Sequence, residues 1–380
     1  MDLDSLSLPY ERPSPYDPPP AFAELRKEGP LVRTADGAGR PVWLVLDADL
    51  AQRVLADARF GIVGPGDHAD TDSLLCDGAA HTRLRGPISR GFGVRAIERL
   101  RPRVRDLADT HVSDLAAAGP PADLVAVVAL PLARAVIADV LGVDIADRDR
   151  FNSWAQAIST VVAEQDGAAI AGWTDLLAFL GDLVAARRAE PRDDLLSALA
   201  EEGLGERELV LAGAALLAGG QLTSANALSI GMVKLLTTGG LGGLAHEPAA
   251  GAAAEEILRH QAGVSGEPYP RWALSDVDLA GRRVATGDVV IVRLEAANRD
   301  PTRFADPDRF DRTRDPNRHL RFGYGPHRCV GAAVARTQLV AAITALATRL
   351  PGLALACAPE DVRWTRAPFD DGPAALPVTW

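Results

Sequence analysis

Phe322-Gly-Tyr-Gly-Pro-His-Arg-Cys329-Val-Gly331 runs directly into Ala332-Ala-Val-Ala-Arg-Thr-Gln-Leu-Val340. Glycine and proline punctuate the first stretch and stop at the second, which has helix-forming composition. The glycines free the backbone for tight turns. The start of a helix places amide donors and its positive dipole end beside a preceding cysteine. Such a setting lowers a thiol's pKa and suits it to bind a metal. No second cysteine stands in CxxC spacing, and an aromatic, Phe322, lies seven residues upstream. One iron in a flat macrocycle therefore fits better than a zinc knot. The plainer alternative is a buried, inert cysteine in a glycine-rich loop.

Working outward, the composition favours helix: 47% of residues are apolar, but only 5% are aromatic. A net charge of −11 argues against nucleic acid as a partner. Cys76, Cys329 and Cys357 are scattered and odd in number, so no disulfide framework is expected, and a reducing compartment is the simplest setting. Met1-Asp-Leu-Asp-Ser5 has neither the basic stretch nor the apolar core of a signal peptide. No apolar run is expected to span a membrane. The reading is a cytoplasmic protein.

Residues 8–20 are proline-rich and expected to be extended, followed by a short helix from Ala21 to Lys27. Leu31-Val-Arg-Thr34, a turn at Asp36-Gly-Ala-Gly39, and Pro41-Val-Trp-Leu-Val-Leu46 predict a β-hairpin. Asp47 to Ala56 has helical period, and residues 61–80 read as loop. Helix is expected nearly throughout from His81 to about Leu204, with breaks at Gly119-Pro-Pro121, Gly142 and Gln165-Asp-Gly167. Residues 206–237 predict one long apolar helix interrupted by Gly219-Gly220, and 252–262 another. Short strands follow at Arg271-Trp-Ala-Leu274, near Val277, and at Val289-Val-Ile-Val-Arg-Leu294. Residues 298–321 have no period. A helix over 331–348 and a β-rich tail close the chain. No linker or repeat divides it, so residues 1–380 are expected to form a single, mainly α domain with a smaller β portion.

The loop around Cys329 resembles the haem-binding signature F-G-x-G-x-H-x-C-x-G of the cytochrome P450 family, with every fixed position present, Phe322 and Gly331 included. The resemblance implies the P450 fold, with haem b (iron protoporphyrin IX) between the long distal helix and the cysteine-loop helix, and Cys329 as the metal ligand. Glu256-Ile-Leu-Arg259 resembles the family's E-x-x-R helix, which implies a brace for the cysteine loop completed by Arg309 of Pro307-Asp-Arg-Phe310. His81-Thr-Arg-Leu-Arg85 resembles the H-x-x-x-R of its third helix. By that resemblance His81, Arg85, Arg271 and His327 hold the haem propionates, while His319 is structural.

On the distal helix the family carries a small pair, an acid and an alcohol. This chain reads Ala218-Gly-Gly-Gln-Leu-Thr-Ser-Ala-Asn226. Keeping Gly219-Gly220 and Thr223-Ser224 in register makes Thr223 the alcohol, Gly220 part of the small pair, and Leu222 the occupant of the acid's place. Sliding by one makes Gln221 the acid's substitute. Either way the carboxylate is missing, which is the chief departure from the family. The plainer role for Thr223 is a hydroxyl bonded to its own i−4 carbonyl.

Between His81 and Arg105 stand eight arginines against one acid, Glu98. The resemblance makes this segment a docking face for an acidic ferredoxin; the alternative is a solvated helix face. The implied function is an oxidoreductase that takes electrons from ferredoxin and ferredoxin reductase and activates O2. Its substrate is a medium-sized, largely apolar or aromatic secondary metabolite, to be hydroxylated or epoxidised. The missing acid keeps oxidative coupling or desaturation open. A rival of another class is a non-catalytic haem sensor or assembly partner. Substrate choice is expected to rest on residues 61–80, the region near 160–175, the distal helix and the segment after Glu256. Asp67, Asp70, Asp72, Glu164 and Asp166 there disfavour an anionic substrate.

Overall fold

The computed structural model describes residues 8–380 apart from 13, 145–146, 148–166, 263–269 and 366–370. The break expected at Gln165, and Glu164 and Asp166, lie outside the described residues, as does most of the segment after Glu256. The chain divides into two compact units, Met1–Thr71 with Leu75–Ala79 and Glu255–Cys329, and Asp72–Leu74 with Ala80–Ala254 and Val330–Trp380.

In the first unit the hairpin forms as the sequence predicts. Strand β1 (Leu31–Ala35) pairs antiparallel with β2 (Pro41–Val45). Asp36 makes the turn: its carboxylate accepts the backbone N–H of Ala38 and of Arg40. Helix α1 (Ala21–Arg26) precedes the hairpin. Helix α2 (Ala48–Ala56) follows it, capped by Asp47, whose side chain accepts from the Leu50 N–H at 2.7 Å. With β3 (Phe60–Gly61), β5 (Arg271–Ala273) and β8 (Val289–Val292) the hairpin makes a five-stranded sheet in the order β1-β2-β8-β5-β3, in which only β2 and β8 run parallel. A separate hairpin pairs β6 (Val277–Leu279) with β7 (Arg282–Val284), the second of which was not foreseen.

Alternation along these strands divides the core in two. Leu31, Trp43, Val45, Val290 and Val292 face one side, packed with Ala51 and Val54 of α2. Val32, Val42, Leu44 and Ile291 face the other, packed with Phe22 and Leu25 of α1. A sheet covered on both faces needs apolar residues at successive positions, which is what Val289-Val-Ile-Val292 supplies. Residues 298–321 form no regular element among the described residues.

The second unit is helical. It takes in most of α3 (Gly78–Gly91), then α4 (Val94–Ala118), β4 (Ala122–Asp123), a π-turn at Val125–Ala129 and α5 (Leu130–Leu141). After these come α6 (Gly167–Ala189), α7 (Leu195–Glu201), α8 (Glu206–Gly220), α9 (Leu222–Thr237) and the first half of α10 (Glu247–His260). The four-residue helix α11 (Leu294–Ala297) belongs to the first unit, and α12 (Ala332–Arg349) to this one. Helix α4 buries Ile97, Val104, Leu107, Ala108, Val112 and Leu115, a stripe at helical spacing, and α12 packs against it. The tail contributes β9 (Ala354–Leu355) and β10 (Pro377–Thr379), which join β4 in a three-stranded sheet, a smaller β element than the sequence suggested.

Two expectations change here. The long apolar helix is two helices, α8 and α9, meeting at Gln221, whose φ of −87° and ψ of −71° interrupt the regular path. The stretch Glu206–Thr237 also meets the length and hydropathy of a membrane span, although no such run was expected. Half of its most apolar window is buried inside the fold, and every residue from Ala225 to Val233 is buried. That is the burial of a core helix.

Candidate active site

The cysteine loop is shaped by its backbone. Gly323 and Gly325 have φ of 70° and 73°, in the left-handed region that glycine enters without strain. Gly325 also has no room for a Cβ, which would strike the Leu55 carbonyl at the end of α2. The N–H of Cys329 donates to the Phe322 carbonyl at 2.8 Å, closing the loop. Cys329 is exposed, whereas Cys76 is buried and Cys357 lies between. Gly331 then caps α12, its carbonyl accepting the first helical bond, from the Ala335 N–H at 2.9 Å. Phe322 is tilted against the ring of His319, with centroids 6.1 Å apart, and His319 Nε2 sits 3.1 Å from Glu255 Oε2. His319 is thus held structurally.

Glu256 and Arg259, both fully buried, pair through two hydrogen bonds of 2.8 and 2.7 Å. Arg259 also donates to the carbonyls of Asn298, Pro307 and Arg309. Glu256 further accepts from the Asp311 N–H and from Asn317 Nδ2. The brace exists, but its third side chain is not Arg309. The Arg309 guanidinium is 70% exposed and, among the described residues, reaches only Asp311, at 4.0 Å. Arg314, 11% exposed, approaches Glu256 at 3.3 Å. Only the main chain of Arg309 takes part, its carbonyl accepting from Arg259 while its side chain is exposed. Removing one partner of a buried pair leaves an uncompensated charge, at about 3–5 kcal/mol.

Of the cations assigned to haem carboxylates, two lie in this unit. Arg271 opens β5 and is buried; burial pushes its guanidinium below the ordinary range, opposed by the Asp77 carboxylate. His327 Nε2 lies 2.9 Å from Asp77 Oδ1. The other two lie on α3 in the second unit: His81 is buried, and Arg85 Nε donates to Ser89 Oγ at 3.1 Å. Helix α3 begins at Gly78, so His81 and Arg85 share one face a turn apart.

In the second unit Gln221 is buried where α8 gives way to α9. The Thr223 hydroxyl donates to the Gly219 carbonyl at 2.7 Å, the plainer role anticipated from sequence. A hydroxyl whose hydrogen is so engaged still has lone pairs to accept with. A Cβ on Gly220 would come within 3.2 Å of Ile137 Cδ1, so α5 presses on this turn.

The arginine-rich segment is largely neutralised. Six of its eight arginines pair with acids: Arg83 with Glu208, Arg90 with Glu202, Arg99 with Asp193, Arg101 with Glu98, Arg103 with Asp139 and Arg105 with Glu247. Pairing with acids thus engages most of the segment's cations. Arg95, beside Val94 at the exposed start of α4, is in no such pair among the described residues.

Sequence reasoning missed Asp77, Arg314 and Asn298, whose side-chain carbonyl accepts the Leu320 N–H at 2.7 Å. Each acts across a long loop, and no local pattern marks it. The residues present fit a haem. An exposed thiol stands in a closed backbone loop, and buried Arg271 has its positive charge disfavoured by desolvation, a condition that a carboxylate relieves. No group of three His, Cys, Asp or Glu able to hold a metal by itself occurs among the described residues.

Comparison with known proteins agrees. The Cytochrome P450 family model matches residues 244–350. Nocardicin C N-oxygenase of Nocardia uniformis subsp. tsuyamanensis is 36% identical over 394 residues, covering 99% of each chain. Biflaviolin synthase of Streptomyces coelicolor is 38% identical, covering 95% of this chain and 93% of that one. Among solved structures, the LnmA cytochrome P450 hydroxylase from the leinamycin biosynthetic pathway of Streptomyces atroolivaceus superposes with a TM-score of 0.91 at 37% identity, covering 98% of this chain and 100% of that one.

Proposed function

The chain belongs to the cytochrome P450 family of haem-thiolate monooxygenases, whose relatives here oxidise secondary metabolites, and from that premise we propose which of its residues do the work and on what. Cys329 holds the haem iron. Phe322 and Gly331 shape the loop on either side of it, and His81, Arg85, Arg271 and His327 hold the haem carboxylates. The bound haem supplies activation of O2 for oxidation of the substrate. The observation that carries this reading is the complete cysteine loop with its single exposed thiol.

Gly220 keeps the α8–α9 turn free of side chain where small reactants approach. Thr223 accepts a hydrogen bond from water while its own hydrogen stays on Gly219. Gln221 orients water without supplying a proton, since an amide does not titrate. The substrate is a medium-sized, largely apolar or aromatic secondary metabolite that is hydroxylated or epoxidised. Electrons come from ferredoxin and its reductase, in the cytoplasm.

One observation favours a second reading. Residues 218–226 hold no carboxylate, a departure from the family's distal pattern that keeps oxidative coupling or desaturation as the alternative outcome. The test of the central assignment is the reduced, carbon monoxide-treated protein. It should show the red-shifted Soret band peculiar to thiolate-bound haem. Cys329→Ser should lose that band, while Cys76→Ser and Cys357→Ser keep it. Loss of the band in either of the latter, with retention in Cys329→Ser, removes the assignment.

A further inference from the structure

Asp77, the residue before α3, has no place in the scheme so far, yet its carboxylate gathers three separate segments. Oδ2 accepts the N–H of Ile62 at 2.8 Å and of Val63 at 3.1 Å. Oδ1 faces His327 Nε2 at 2.9 Å. The packing is close: a Cβ on Gly61 would lie 2.7 Å from Asp77 Oδ2 and 3.1 Å from Leu274 Cδ1. The same carboxylate acts electrostatically on Arg271. Two of the four cations assigned to the haem carboxylates therefore share one acid of the protein's own.

A carboxylate offers acceptors only, so the ring nitrogen facing it must carry a hydrogen. The 2.9 Å contact holds that nitrogen of His327 on Asp77 and so sets the direction in which the ring lies. His327 stands two residues before Cys329, in a loop whose closing bond runs from the Cys329 N–H to Phe322. A ring held in one orientation presents its remaining edge in one direction, the logic by which an outer carboxylate orients a histidine toward the group it serves.

We propose that Asp77 is a positioning residue of the haem site: anchored on Ile62 and Val63, it fixes the orientation of the His327 ring, and through it the way that ring meets a haem carboxylate. This rests on the reading above that His327 contacts haem. A plain loop brace would need only the bonds to Ile62 and Val63. The third bond, to a ring beside the cysteine, is what a brace does not require.

The test is a double-mutant cycle on the holoenzyme, with the rate of haem loss to excess apomyoglobin as the readout. Asp77→Asn keeps an oxygen for the two backbone donors but turns an NH2 toward His327, donor against donor. Haem loss should quicken about tenfold, as for a lost hydrogen bond to a charged group. His327→Gln should quicken it similarly, and adding Asp77→Asn to that variant should change the rate less than twofold. An equal effect of Asp77→Asn in both backgrounds overturns the positioning role and leaves His327's haem contact standing. Unchanged haem loss in His327→Gln overturns the haem contact itself and the proposal with it. Unchanged loss in Asp77→Asn alone overturns only the proposal.

Discussion

Two regions of this molecule are rich in arginine and use it in opposite ways. Upstream of the cysteine loop, Arg259 and the largely buried Arg314 converge on the buried Glu256. Along α3 and α4, six arginines reach outward to acids that are mostly exposed, such as Arg90 to Glu202 and Arg101 to Glu98. Residue type and ion-pair distance are much the same in both. Burial separates them, because water screens an exposed pair and leaves a buried one nearly unscreened. The first region is therefore a structural joint whose parts are not separable. The second is a set of loose contacts that keeps a basic stretch from displaying its full charge.

Breaking the joint should give the largest effect. Glu256→Ala or Arg259→Ala is expected to cost about 3–5 kcal/mol in urea unfolding and to yield protein largely without haem. A loss below about 1 kcal/mol would mean that the joint is no different from the surface pairs.

Next comes the contrast within the joint. Arg314→Ala should cost about 1–3 kcal/mol, the price of leaving part of a buried carboxylate unmatched, while Arg309→Ala should stay within about 0.5 kcal/mol. Equal losses, measured by the same unfolding midpoints, would return Arg309 to the role its sequence motif suggested.

The smallest effects belong to the outer arginines. Arg103→Ala should cost less than about 1 kcal/mol and lose even that in high salt. Arg95→Glu should leave stability alone but slow ferredoxin-driven reduction several-fold at low salt. Undiminished reduction there would take electron-donor docking off this segment.

The sequence announced the cysteine loop because its requirements are local: two glycines at positive φ, a cysteine and a helix start lie within a dozen residues. The β1–β2 hairpin was legible for the same reason, with Asp36 and Gly39 at its turn. What stayed hidden acts over distance. Arg90 and Glu202 are 112 positions apart, and Asp77 and His327 are 250 apart, so neither pairing leaves a mark on its neighbourhood. The choice between Arg309 and Arg314 is a matter of which side chain is buried, and both lie within one aperiodic stretch whose sequence does not distinguish them. The break at Gln221 was placed two residues early, since the glycines continue α8 and the interruption falls just after them.

Arg259 holds the aperiodic segment by the carbonyls of Asn298, Pro307 and Arg309, and Glu256 holds it by the Asp311 N–H. Peptide groups are the same whatever side chain they bear. The shape of this stretch is thus encoded partly in its partners, and its outward side chains are open to drift. Exposed positions such as Arg309 could be exchanged wholesale, by evolution or by an engineer remaking that surface, while the path of the chain leading to the cysteine stays as it is.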